Sequence, residues 1–390
     1  KHYSTGPFLG WSSRRAAVTS WGVRVHTTMA SFEKLKLKRV QAVEAGEACL
    51  AFITEAKDLY IWHPSGDETD EDDGALTEEA PARVPSLARQ VVDVAIGWDH
   101  ICALTADCQV FTWGVGTFGQ LGHGDKADRH EPCVVAELAA TRVSTVACGW
   151  SYTACVTGDG EVFTWGAAAS GQLGHHDKVR RTTPAKIESL GEFGPLKAVS
   201  CGENHTAVLS RAGHVVTWGC PFDGRLGRAS DDRSDPAEVG AFREHGDAWG
   251  VPLQVSCGMH HTVVRTDNGC VLTWGNGSGG QLGLGDVEHR DEPCVVPLFG
   301  DEAPAVSVSG GSQHTACCTA HGDLYLWGVF LPGPVQTVVE PSLVVVAGGV
   351  AVQSVSCSDK NTLALSDGEA YHWWDKNETA ERDPQEQGQG

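Results

Sequence analysis

The chain has 390 residues, 47 of them glycine and 13 tryptophan, and a formal net charge of −21 at pH 7. A body this acidic repels phosphate backbones, which disfavours direct binding of DNA or RNA. The longest uncharged apolar stretch, 343–352, is far shorter than the ~20 residues that a membrane-spanning helix needs. The composition therefore argues against a direct nucleic-acid binder and predicts no membrane span.

The first element, residues 1–20, is a basic N-terminal segment. Residues 1–28 contain serine, threonine and arginine but no aspartate or glutamate, and the first 39 residues carry a net charge of +7. This composition is typical of mitochondrial targeting segments and of the residues just after their cleavage sites. It predicts a mitochondrial location, with the cytosol or nucleus as alternatives. A basic strand that docks on an acidic ring would have the same composition.

From residue 21 to residue 374 the chain repeats itself. Four near-copies of one phrase are spaced 52, 53 and 56 residues apart: WGVGTFGQLGHGD from Trp113, WGAAASGQLGHHD from Trp165, WGCPFDGRLGR from Trp218 and WGNGSGGQLGLGD from Trp274. A second landmark, such as CGENHTAVLS from Cys201, occurs seven times when its degenerate end copies are counted. A fixed period of about fifty residues is the mark of a repeat architecture.

Each landmark leads through a short Gly, Asp or Asn turn into an apolar run that ends in tryptophan, as in EVFTWG and CVLTWG. Such runs around a tight turn predict a β-hairpin. Seven evenly spaced hairpins predict an all-β fold, a seven-bladed β-propeller. Eight tryptophans mark the units, one more than the hairpins. The N-terminal stretch that Trp21 opens is therefore expected to complete the last blade and close the ring, which would remove the exposed sheet edges.

The pattern W-G-x4-G-Q-L-G-x-G-D followed by C-G-x-x-H-T resembles the repeat of the regulator-of-chromosome-condensation (RCC1-type) propeller family over residues 21–374. The resemblance implies an RCC1-like ring but leaves function open, because the family includes exchange factors for a small GTPase, a plant UV-B photoreceptor, ligase-associated modules and scaffolds. The photoreceptor branch repeats Gly-Trp-Arg-His-Thr. Here Trp98 and Trp150 lack that arginine, and Glu203 stands at the third tryptophan position. We interpret both tryptophans as residues of a propeller face that pack there or contact a partner.

Two segments depart from the repeat. An insertion at 64–84 carries a dense acidic run, which predicts either a solvated loop or a docking point for a basic partner; its acids are Asp67, Glu68, Asp70, Glu71, Asp72 and Asp73. The rim loop 328–340 is apolar. Val329, Phe330 and Leu331 are expected to be exposed there unless a neighbouring element covers them, and exposed apolar residues on a rim loop predict an interface. The C-terminal tail, 375–390, is polar.

No pattern predicts a catalytic residue, a cofactor site or a metal site. One repeat position is shared by His100, His205, His261 and His314. Because a residue that recurs around a ring is unlike a catalytic base, we interpret these histidines as structural residues, each hydrogen-bonded to a loop of its own blade. Two G-x-G-x-x-G phrases, from Gly114 and Gly275, lack the following helix and acidic residue of a dinucleotide site. The fourteen cysteines include no zinc-spaced pair and predict buried thiols in a reducing compartment.

The sequence thus predicts a non-catalytic scaffold or accessory subunit that binds protein subunits of a larger assembly through its rim loops. A mitochondrial respiratory-chain or ribosomal complex would suit the N-terminal composition. The alternative is a guanine-nucleotide exchange factor for a Ran-like small GTPase, which the family resemblance implies.

Overall fold

The structure is a computed structural model and describes residues 33–37, 39–63, 80–228, 235–330, 337–359 and 361–373. In these ranges the chain forms seven four-stranded antiparallel sheets. The first strand of each sheet packs against the first strand of the next, and the seventh sheet packs against the first. The prediction of a seven-bladed all-β propeller is confirmed.

Blades 1 to 6 take their four strands consecutively from the chain. The bounds for blades 1 to 3 are β2 Val40–Ala45, β3 Leu50–Thr54, β4 Leu59–Trp62, β5 Ala82–Arg83; β6 Val91–Ile96, β7 His100–Thr105, β8 Val110–Gly114, β9 Arg129–Val134; β10 Val143–Cys148, β11 Tyr152–Thr157, β12 Val162–Gly166, β13 Arg181–Lys186. The bounds for blades 4 to 6 are β14 Leu196–Cys201, β15 His205–Ser210, β16 Val215–Gly219, β17 Ala237–Glu238; β18 Pro252–Cys257, β19 His261–Thr266, β20 Val271–Gly275, β21 Arg290–Val295; β22 Ala305–Gly310, β23 His314–Thr319, β24 Leu324–Gly328, β25 Val338–Val344. The short helices are α1 Ala241–Glu244 and α2 Gly246–Trp249, with 3-10 turns at Pro85–Leu87, Ala136–Leu138, Glu188–Phe193, Phe222–Gly224 and Ala347–Gly349.

Blade 7 closes the ring with strands from both ends of the chain. It contains β26 (Ser354–Cys357), β27 (Thr362–Ser366), β28 (Glu369–Trp373) and, as the fourth strand, β1 (Glu33–Lys34). β1 pairs with β28 in the register Lys34↔Tyr371. The prediction that the N-terminal segment closes the ring is confirmed, although Trp21 itself lies outside the described residues.

The hydrophobic cores lie between adjacent blades. One of them joins Val263 of blade 5, Trp327 of blade 6 and Trp373 of blade 7. The second strand of a blade is covered by neighbouring sheets on both sides, and β7, β11, β15 and β23 are buried at every position. These strands are therefore continuous runs of apolar and small residues and not alternating ones.

The ring has two distinct faces. The turns between first and second strands, such as 97–99, and the loops between third and fourth strands, such as 115–128, lie on one face. They touch there: the Val115 N–H donates to the Asp99 carbonyl at 2.8 Å, and the Cys220 N–H donates to the Asn204 carbonyl at 2.8 Å. This face is called the loop face. The opposite face carries the turns between second and third strands, such as 106–109.

The prediction that the 328–340 loop exposes its apolar residues is wrong for Phe330, which is only 6% exposed. Its ring packs against Trp373 with the centroids 5.7 Å apart. Because Phe330 lies two residues after the end of β24, it can fill the space between blades 6 and 7, where burial of an aromatic ring is favourable. Val329 is half-buried, and Leu331 lies outside the described residues. The loop is also shorter than predicted, since β25 begins at Val338.

The predicted acidic loop 64–84 is wrong at its C-terminal end, where Ala82–Arg83 forms β5 and pairs with β4. The fourth strand of blade 1 thus takes two residues that the sequence assigned to an insertion. The acids of the run, Asp67, Glu68, Asp70, Glu71, Asp72 and Asp73, lie outside the described residues, and their role as a docking point stays a prediction.

Candidate functional site

The repeated motif residues form one hydrogen-bond network at each blade boundary. At the boundary of blades 2 and 3, the Gln120 carbonyl accepts from the Trp165 indole Nε1 and from the Thr153 Oγ1, both at 2.8 Å. The next boundary has the same arrangement, with the Gln172 carbonyl accepting from Trp218 and Thr206. This boundary network links the W-G, G-Q-L-G and H-T phrases, and so explains why they recur in register.

The landmark histidines complete the boundary network across blades. His100, His205 and His261 place Nε2 at 2.9, 3.0 and 2.9 Å from the hydroxyls of Thr153, Thr262 and Thr315 in the following blade. These contacts support the interpretation of the histidines as structural residues. The expectation that each one bonds a loop of its own blade is wrong. The reason is packing: the second strands face the next sheet, so the nearest partner is across the boundary.

The network also fixes the histidine tautomer. The hydroxyl of Thr315 donates to the Gln281 carbonyl at 2.8 Å, so it has no proton left for His261 and must accept from the Nε2–H. The Nδ1 of His261 is buried without a partner, and a proton placed there would be unsatisfied. Burial, followed by the nearby charge of His314, lowers the pKa of His261 to about 3.

The last glycine of G-Q-L-G is required by this network. Gly122 and Gly174 have φ of +81° and +76°, a region that residues with a Cβ rarely adopt. A Cβ at either position would also lie 2.8 Å from the Trp165 Nε1 or 2.7 Å from the Trp218 Nε1. The glycine therefore lets the loop of one blade approach the tryptophan of the next.

The first strands of all seven blades surround a central channel with a cavity of about 320 Å³. Serine hydroxyls join several of these strands: Ser200, Ser256 and Ser309 each accept from a backbone N–H of the next blade at 2.8–3.0 Å. At the equivalent position blade 1 has Glu44, whose Oε2 accepts from the Ser356 hydroxyl at 3.2 Å. Sequence reasoning missed Glu44, although its departure from the serine positions was visible in the aligned repeats.

Glu44 and Asp93 make the channel acidic. Burial, followed by the charge of Asp93, raises the pKa of Glu44 to about 8. Burial also raises the pKa of Asp93, against the hydrogen bonds that Val146 N–H and Thr145 Oγ1 donate to its Oδ2 at 3.1 and 3.0 Å. Two carboxyl groups on neighbouring blades thus share a confined space in which the ionised forms are disfavoured.

Replacing Glu44 by glutamine is expected to stabilise the propeller at alkaline pH. The unfolded carboxyl ionises near pH 4.5, while the folded one holds its proton up to about pH 8, so this contribution is complete below pH 4.5 and is lost as pH rises through 8. Because Glu44 faces a cavity that water can enter, we expect a total gain of about 1–2 kcal/mol in E44Q between pH 5 and 9. Urea unfolding at several pH values measures the difference in the free energy of unfolding between E44Q and wild type. A difference that stays constant with pH would contradict this prediction.

One mouth of the channel, on the loop face, is formed by the residue that follows the turn glycine in six blades and follows Ser358 in the seventh. These seven residues, called the mouth ring, are Glu47, Trp98, Trp150, Glu203, Met259, Ser312 and Asp359. Trp98 and Trp150 are half-buried and stack with their ring centroids 4.0 Å apart and an interplanar angle of 2°. The structure therefore brings together the two tryptophans that the sequence placed on a face.

Glu203 in the mouth ring contacts His260, with the Nδ1 and Oε2 atoms 3.0 Å apart. Burial, followed by the charge of Arg225, lowers the pKa of His260. Arg225 is itself a departure from the repeat, because it replaces the glutamine of G-Q-L-G; its side chain is buried and pairs with Asp223 at 3.1 Å. Burial and the Arg225 cation therefore disfavour the protonated form of His260.

The loop face also exposes apolar side chains outside the mouth ring. They all belong to loops between third and fourth strands, with exposed fractions of 42% for Phe118, 62% for Val179, 65% for Phe222 and 46% for Val287. The Arg180 guanidinium lies 5.0 Å from the centre of the Phe118 ring. Sequence reasoning missed these residues, because they lie within the repeated phrase or just after it and carry no signal of their own.

Other site chemistry is limited to what the described ranges contain. All fourteen cysteines fall in them and are free. No group of three or more His, Cys, Asp or Glu side chains in these ranges is arranged to hold a metal ion. Each helix that the structure describes is too short or too polar to cross a membrane.

Comparison with known families places this architecture. The family model described as RCC1-like domain matches residues 9–333. The chain belongs to the RCC1-like domain family. Among curated proteins, the ultraviolet-B receptor UVR8 of Arabidopsis thaliana is 30% identical, over 86% of this RCC1-like chain and 77% of its own length.

Other relatives carry the RCC1-like domain in different contexts. The E3 ubiquitin-protein ligase HERC2 of Mus musculus is 29% identical over 93% of this chain, which spans only 8% of the ligase. The mitochondrial RCC1 domain-containing protein RUG3 of Arabidopsis thaliana is 31% identical over 71% of the chain and 62% of its own length. Human WBSCR16 has the same fold, with a TM-score of 0.70 and 22% identity over 85% of this chain and 88% of its own.

Proposed function

We propose that this RCC1-like propeller is a non-catalytic scaffold or accessory subunit that binds neighbouring proteins through its loop face. The observation that carries the proposal is the set of exposed apolar side chains on this face, above all Phe118 and Phe222, beside the half-buried Trp98 and Trp150 pair. Aromatic side chains exposed on one face are typical of protein interfaces. The landmark histidines contact threonine hydroxyls of the next blade, which supports a structural role for them.

A mitochondrial assembly, such as a respiratory-chain or ribosomal complex, is the setting we propose. The acid-free composition of residues 1–28 supports it, as does the similarity to RUG3, a relative named as mitochondrial. Other relatives are named without that location, so cytosol or nucleus is the competing setting. The experiment is subcellular fractionation of cells of the source organism that express the tagged protein. It distinguishes the mitochondrial setting from the cytosolic or nuclear one.

Charged substitutions on the loop face are expected to release the protein from its assembly. In F118D/F222D, two carboxylates replace apolar side chains that would be desolvated on binding, so co-migration with a large complex on native gels should be lost. The matched control is V251D, since Val251 is 47% exposed and precedes β18 on the opposite face. Equal co-migration of F118D/F222D and V251D would contradict the proposal.

An exchange factor for a Ran-like GTPase is the alternative. The fold of Saccharomyces cerevisiae Prp20p, in a structure whose description names its binding to Gsp1p and histones, matches with a TM-score of 0.67 and 20% identity over 87% of this chain and 83% of that one. Catalytic amounts of the purified chain that accelerate nucleotide release from a small GTPase would overturn the scaffold proposal.

A further inference from the structure

We propose that the mouth of the central channel on the loop face receives an arginine side chain from a basic loop of a partner protein. This inference rests on the proposed scaffold function and names the chemistry of the partner. It is carried by two independent observations, the distribution of charge along the channel wall and the stacked tryptophan pair at its entrance.

The channel wall is complementary to a cation. The described residues that line the cavity include five carboxylates and neither lysine nor arginine: Glu44, Glu47, Asp93, Glu203 and Asp359. Three of them belong to the mouth ring and two lie deeper. Because burial raises the pKa of Glu44 to about 8 and also raises that of Asp93, the negative charge is concentrated at the mouth ring. Like charges in a confined space disfavour one another, and a cation that enters relieves this cost.

Glu44 lies deeper in the channel than the mouth ring, and its raised pKa of about 8 leaves the mouth-ring carboxylates as the partners for a cation. Within the described ranges Glu44 receives a hydrogen bond at Oε2 from Ser356, and its side chain lines the cavity. Planar guanidinium groups donate two parallel hydrogen bonds to a carboxylate, which an ammonium group cannot do. The cavity of about 320 Å³ is at the low end for small-molecule sites, which span roughly 300–1,000 Å³, and suits one or two side chains.

The tryptophan pair favours arginine over lysine. Trp98 and Trp150 stack on each other, so a further planar group can stack only on the outer face of either indole. In ring order the residue before Trp98 is Glu47 and the residue after Trp150 is Glu203. A guanidinium that stacks on either outer face therefore has a carboxylate in the adjacent blade, which combines a cation–π contact with an ion pair.

Glu203 contacts His260, with the Oε2 and Nδ1 atoms 3.0 Å apart. A protonated imidazole would neutralise it, but Arg225 and burial hold the pKa of His260 below its usual value. The lowered pKa disfavours a positive imidazole beside Glu203, so His260 does not compete with an incoming cation at this position.

Binding of short labelled peptides to the full chain tests the inference. The probe is a glycine–serine peptide with two arginines, and its matched controls carry lysine or the neutral isostere citrulline at the same positions. Fluorescence anisotropy should show saturable binding of the arginine peptide, several-fold weaker binding of the lysine peptide, and none of the citrulline peptide. Loss of all binding up to about 1 mM, or equal binding of citrulline and arginine, would overturn the inference.

Variants locate the site. E47Q/E203Q should lower the affinity for the arginine peptide about tenfold, and W98A should lower it about fivefold. The control D159N removes a carboxylate on the opposite face and should leave the affinity unchanged. Circular dichroism confirms that each variant folds. If the mouth variants bind the peptide as wild type does, the inference fails, and F118D/F222D still decides the scaffold function on native gels. If that loop-face variant keeps its assembly while the mouth variants lose the peptide, the arginine site stands and the scaffold surface fails.

Discussion

Replacing Trp218 by alanine is expected to lower the free energy of unfolding by about 3–5 kcal/mol. The indole is fully buried between blades 3 and 4, and its Nε1 donates to the Gln172 carbonyl at 2.8 Å. The substitution leaves a cavity that Gly174 and its loop cannot fill without breaking the boundary network. It also removes one of the two donors of the Gln172 carbonyl, which lies in a buried environment.

Two controls separate packing from hydrogen bonding in this prediction. W218F keeps most of the apolar volume and loses the indole N–H, so it should cost about 1–2 kcal/mol. W98A removes a tryptophan that is only half-buried and should cost less than W218A. Guanidinium unfolding followed by circular dichroism gives the three values. A cost for W218A no larger than that for W98A would mean that the boundary network does not hold the blades together.

The boundary network shows why so much of the fold was predictable. Tryptophan, glycine, histidine and threonine recur at fixed spacing because each blade needs the same contacts with its neighbour, as Trp165, Thr153 and His100 show at one boundary. Repetition turned these contacts into a readable pattern. It did not reveal their direction, and the histidine bonds were predicted within one blade when they cross to the next.

The candidate site was less predictable because it is made of departures from the repeat. Arg225 replaces a glutamine that three other blades share, whereas the positions of Glu44 and Glu203 vary from blade to blade. None of the three residues therefore follows the period of the repeat. Trp98 and Trp150 were assigned to a face, but their stacking depends on the spacing of neighbouring blades. Phe330 was misplaced for the same reason, because its cover comes from Trp373, a residue of the next blade.

Acidification is expected to destabilise the wild-type propeller through its buried histidines. The contribution of one histidine to this pH dependence can be measured at His261. In the unfolded chain this imidazole is protonated below about pH 6.5, whereas in the fold its pKa is lowered to about 3. The unfolded state therefore binds the extra proton, and the contribution of His261 to stability, complete above pH 6.5, is lost as pH falls towards 3. The slope is about 1.4 kcal/mol per pH unit.

The variant H261Q removes this titration but keeps a side-chain N–H that can reach Thr315. It should be about 1–2 kcal/mol less stable than wild type at pH 7.5, because the geometry of the bond is poorer. Its stability should fall less steeply below pH 6.5, so that the two curves converge near pH 5. Other titrating groups, including Glu44, act on both proteins alike and cancel in the difference.

Blade 3 supplies the control, because Tyr152 occupies the histidine position there and its hydroxyl donates to the His205 carbonyl at 2.6 Å. Y152F loses a hydrogen bond of the boundary network without removing a group that titrates between pH 4.5 and 7.5. Its stability should be lower than that of wild type by a constant amount across this range. If the curve of H261Q ran parallel to that of wild type, as that of Y152F should, the buried imidazole would not be what makes the ring sensitive to acid.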